Sequence, residues 1–143
     1  MRLTIKRFVF IIAYIVAACG PEPTEPAKTS LAGTWTAKDA HLYKMSNFRL
    51  EISQEPEGIV SGQWFARGEA GAGACPSGNA CDAFGHLSGR NTVSQVELEL
   101  LGAGKFEGGL VEVDRMRGIF AVQESYDTIT FVRAPSAVNT VNR

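Results

Sequence analysis

Histidine and cysteine are scarce in this chain, two and three in 143 residues, and that scarcity narrows the chemistry open to it. His41 lies in a polar segment and His86 in an alternating run, and neither is followed by a partner at the spacing a metal site uses. Asp39 and Tyr43 flank His41 at two residues' distance, a grouping that polar loops produce by chance. No nucleophile elbow, glycine-rich phosphate loop or His-Glu metal motif is present. Glu97 and Glu99 share a strand face, as glycosidase acids do, yet their alternation with Val96, Leu98 and Leu100 reads as a solvated face. The expectation is a non-catalytic protein without a cofactor or a metal.

Long hydrophobic runs are missing as well. The one apolar stretch, Phe8 to Ala18, is too short to span a hydrocarbon core of roughly 30 Å as a helix. It follows Arg2, Lys6 and Arg7 and closes in Val16-Ala17-Ala18-Cys19. A basic start, an apolar middle and small residues before a cysteine resemble a bacterial lipoprotein signal peptide. The resemblance implies cleavage before Cys19, acylation of its sulfur and a mature chain beginning there, tethered to the membrane through lipid without crossing it. With Gly20 rather than Asp in second place, it also implies the outer membrane where the cell has two.

Clustered positive charge is the next absence. Removing residues 1–18 takes away three of 14 basic side chains and none of 15 acidic ones, which leaves a mature chain at a formal charge of −4. Nucleic acid, whose phosphates call for grouped Lys and Arg, is therefore not an expected partner. From residue 19 to 30 the chain has three prolines and no large apolar side chain, so it reads as an extended tether. Residues 134–143 read as a flexible tail.

What remains, residues 31–133, alternates with period two between short turn signals and predicts strands throughout. Eight candidates stand out: 31–37, 48–53, 59–67, 83–89, 93–101, 105–113, 116–123 and 128–133. Asp39 to Asn47 is left as one helical turn or a strap. Several strands carry an apolar residue, a spacer and a glycine, as in Val60-Ser61-Gly62, Leu87-Ser88-Gly89, Phe106-Glu107-Gly108 and Met116-Arg117-Gly118. Glycine recurring inside strands points to tight bends or close approach to a large side chain, as in a small, strongly curled sheet. Eight sequential antiparallel strands close most simply into an up-and-down β-barrel, because closure removes exposed edges; the alternative is a two-sheet sandwich.

Gly33-x-Trp35 at the head of a meander resembles the calycin-type barrels, among them lipocalins, avidins and bacterial metalloprotease inhibitors. The combination of lipobox, proline-rich tether, Gly-Thr-Trp start and repeated Leu-Ser-Gly strands is similar to a broad set of bacterial lipoproteins. The first resemblance implies a cup for a small apolar ligand, for which Trp35, Trp64, Phe84, Phe106 and Phe120 are the candidate lining residues. A core filled by the same aromatics is the competing expectation, and it shifts the weight to an envelope protein as partner and to a protease-inhibitor-like role.

With Cys19 committed to lipid, Cys75 and Cys81 remain as an even pair in an exported chain, and a disulfide is expected. A redox pair prefers two intervening residues rather than five, and zinc would need further ligands nearby.

Overall fold

The computed structural model describes residues 29–38, 40–41, 44–71, 75 and 78–135. Eight strands run β1 (Gly33–Ala37), β2 (Met45–Gln54), β3 (Ile59–Gly68), β4 (Cys81–Asn91), β5 (Val96–Leu100), β6 (Gly104–Glu112), β7 (Arg115–Val122) and β8 (Ser125–Arg133). Each pairs antiparallel with the next, and β8 returns to β1, so the sheet closes into a barrel in plain sequence order. The predicted all-β closed barrel is thus the fold, and the sandwich is excluded because no strand leaves the single sheet. No helix occurs among the described residues.

Alternation decides which side chains enter. Phe48, Leu50 and Ile52 on β2, Val96, Leu98 and Leu100 on β5, and Met116, Phe120 and Val122 on β7 are buried, while their neighbours face water. The outer wall carries charge, with Arg49, Glu51, Arg90, Glu97, Lys105 and Arg117 all exposed. The lumen is apolar, and the outer wall sets these charges among exposed apolar side chains such as Phe84, Ile119 and Val132.

Recurrent glycines make the tight closure sterically feasible. Gly62, Gly89, Gly108 and Gly118 all occupy inward positions where the neighbouring strand's backbone comes very near. A Cβ on Gly62 or Gly89 would lie about 2 Å from the carbonyl oxygen of Glu51 or Glu97, and Gly108 and Gly118 face each other across β6 and β7. The close approach is to backbone more than to large side chains. Gly85 is different: it pairs with Trp64, and a Cβ there would meet the indole nitrogen at 2.6 Å.

Several boundaries differ from the sequence reading. β2 starts at Met45, not Phe48, because a bulge between Ser46 and Arg49, with Asn47 at a φ of 52°, lets Met45 pair with Gly68 and stay buried. The helix-or-strap expectation for 39–47 therefore fails over Met45–Asn47, while Asp39, Leu42 and Tyr43 lie outside the described residues. β5 starts at Val96, not Val93, since Thr92 Oγ1 and Gln95 close the preceding loop and leave Val93 outside. β8 starts at Ser125, not Thr128, because Gln123 with a φ of 52° turns the chain in two residues.

Candidate functional site

The predicted ligand-lining residues divide into two groups. Trp35, Trp64, Phe106 and Phe120 point into the barrel and are at most 1% exposed, together with Phe48 and Phe131. They do not surround a space. Phe48 and Phe120 meet at 5.4 Å between ring centroids, Phe106 and Phe131 at 5.6 Å nearly edge to face, so the rings pack on one another. Trp64 lies over Gly85 and donates its indole N–H to Leu101 O at 3.1 Å. The interior is filled.

Phe84 is the correction. It stands on the outer wall and is 74% exposed, because Ala83 and Gly85 beside it take the inward positions that Trp64 leaves narrow. Its neighbour across the ladder is Phe65, also on the outside, with the Arg49 guanidinium 4.3 Å from the ring centre. This outer pair is lost to any reading that counts aromatics without strand parity.

One barrel mouth is closed by the chain that leads into it. Leu31 is fully buried, its N–H donates to Gln54 Oε1 at 2.8 Å, and Trp35 donates its indole N–H to Leu31 O at 2.7 Å. Asn91, 2% exposed, donates to the same Gln54 oxygen at 3.0 Å and to Thr29 O at 2.9 Å. Arg133 completes the plug: its guanidinium stacks 4.3 Å over Trp35 and donates to Ser30 O at 2.6 Å and to Ala32 O. Gln54, Asn91 and Arg133 carry no motif in the sequence, and Asn91 falls in the turn expected between two strands, whereas β4 runs on to it and turns it inward.

The opposite mouth holds the disulfide. Cys75 and Cys81 are bonded, as expected from their number, with Cα atoms 5.5 Å apart. The bridge is more central than a loop clip, since Cys81 is the first residue of β4 and Cys75 is buried with the core. Cys19 lies outside the described residues. His41 and His86 are both exposed, as are Glu97 and Glu99 on the outer face of β5, and no three His, Cys, Asp or Glu converge among the described residues.

Among the described residues, one surface depression of about 800 Å³ follows the junction of β1 and β8. Another of about 280 Å³ sits at the disulfide mouth beside Leu100, Ala103 and Val122, and a third, about 320 Å³, crosses the charged wall of β4, β5 and β6. None is lined by Trp35, Trp64 or Phe120. Comparison of the chain with protein-family profiles, curated proteins and solved structures gives no match.

Proposed function

We propose that this chain is a lipid-anchored, non-catalytic β-barrel of the cell envelope that works through its outer surface as a protein-interaction module. The observation that carries this reading is the solid interior. Six large aromatic side chains below 2% exposure occupy the lumen that a calycin-like cup would leave for a small apolar ligand. The depressions described above lie on the outer wall, among polar and charged side chains, or at the disulfide mouth, where Met45, Leu100, Ala103 and Val122 line a smaller, more apolar one.

Anchoring at Cys19, expected from the lipobox, would attach the membrane to the plugged mouth, where residues 29–32 run into β1. The disulfide mouth would then face away from the lipid. A tether on the order of 30 Å in polyproline II geometry leaves the side wall free to meet a partner.

Native mass spectrometry of the full chain, extracted from its host envelope in mild detergent, tests the reading. The expected mass is that of the chain from Cys19 with acyl chains and one disulfide. A further apolar small molecule bound one to one would overturn it in favour of the ligand cup.

A further inference from the structure

Closure of the barrel is uneven. β1 joins β8 through two residue pairs, Trp35 with Arg133 and Thr36 with Val132, whereas β8 pairs with β7 from Ser125 to Val132. The N–H of Arg133 donates to Asp114 O and that of Ala134 to Thr34 O, each at 2.8 Å. By the alternation of an antiparallel ladder, odd-numbered backbone groups of β8 therefore face β7 and even-numbered ones face the β1 side. Beyond Val132 those even positions are Thr130, Thr128 and Tyr126, and among the described residues no strand lies opposite them. One of their donors already shows the chemistry such an edge accepts: the Thr128 N–H is bonded by the Asp127 carboxylate, Oδ1, at 2.7 Å.

The groove of about 800 Å³ runs along this edge. Among the described residues its lining carries Lys38, Arg115 and Arg117 and the carboxylate of Glu112, which Arg115 holds at 3.1 Å, while Asp127 lies on the edge itself, bonded to the Thr128 N–H. Arg117 stands directly across from Thr130. It is set back from the edge by one strand spacing, about 4.8 Å, so its guanidinium reaches a segment laid along β8. Ala37 and Ile129 form the floor.

We propose that this seam takes up an extended acidic segment of a partner protein, added antiparallel to β8 as a further strand. Its carboxylates lie on the outer face toward Arg117 and Lys38, and the alternate side chains, small and apolar, turn in toward Ala37 and Ile129. The proposal rests on the protein-interaction reading and names its surface. The chain's own ends are poor occupants: residues 20–30 hold three prolines, which lack the needed N–H, and residues 136–143 contain no Asp or Glu. A second copy joined edge to edge would present Arg117 and Lys38 with a basic groove of the same sign rather than with carboxylates.

The test is a fluorescence-anisotropy titration of the full chain in detergent with a labelled synthetic peptide alternating Glu and Val. Binding is expected to saturate and to weaken about tenfold or more with Arg117→Glu. Thr130→Pro should remove it while leaving the thermal melt near that of the parent, because that N–H faces the seam and not β7. Asp127→Ala should strengthen it severalfold by releasing the Thr128 N–H and removing a competing carboxylate. Should Thr130→Pro not fold, the same peptide N-methylated at alternate residues serves instead, and it should not bind the parent chain. Absence of saturable binding overturns the proposal, as does binding that neither the proline nor N-methylation disturbs. Envelope cross-links that persist in Arg117→Glu and Thr130→Pro would overturn the seam while keeping the protein-interaction reading, which falls separately on the bound small molecule described above.

Discussion

Trp35 joins the lumen, the plug and the closing strand at once. Its ring is buried, its N–H satisfies Leu31 O, and its face carries Arg133. Trp35→Phe keeps most of the apolar contact but leaves the buried Leu31 carbonyl without a donor, so a loss of about 2 kcal/mol is expected in urea unfolding with an unchanged m-value. Gly85 tests packing from the other direction. An added Cβ would sit 2.6 Å from the Trp64 indole nitrogen and 2.7 Å from Leu101 O. Gly85→Ala should therefore destabilise by about 1 to 3 kcal/mol, overpacking outweighing the few tenths gained from a stiffer unfolded chain. The aromatic content of the core was legible in the sequence, and the exclusion of Phe84 from it was not, because side-chain direction follows from the register with Trp64 rather than from residue type.

At the scale of elements, the disulfide ties the segment after β3 to the first residue of β4. Closing so short a ring restricts the unfolded chain modestly, by about 2 kcal/mol on the entropic account. Mild reduction should then free two thiols, lower the melting temperature by several degrees and leave the far-ultraviolet spectrum that of a β-protein. Global unfolding on reduction would show instead that the buried Cys75 holds the core at that mouth. The strand series was readable from period-two alternation, while strand starts were not. Met45 and Ser125 belong to strands because a bulge and a two-residue turn with positive φ place them there; Asn47 tolerates that region but does not announce a bulge, and Gln123 carries no turn signal.

For the whole molecule, the expectation to test is location. The lipobox ending at Cys19 implies thioether-linked acyl chains, each methylene contributing about 0.8 kcal/mol of partitioning when buried in lipid. Cys19→Ser should leave the chain soluble or unprocessed on membrane fractionation. Processed, membrane-bound material from that variant would refute lipid anchoring.

The sequence by itself determined that the chain is a run of antiparallel strands with one apolar face, since alternation is a local property and a strand's two faces follow directly from it. It determined the cysteine pair as well, by number and setting. Only the tertiary structure decided that aromatic side chains fill the lumen, that Leu31, Asn91 and Arg133 seal one mouth, and that β1 joins β8 through two residue pairs, with no strand among the described residues beyond them. Those features depend on partners such as Trp35 and Arg133, which meet only when the first strand finds the last. Register between strands so distant in sequence is set by the accumulated twist and stagger of the whole sheet, a quantity no local pattern of residues records.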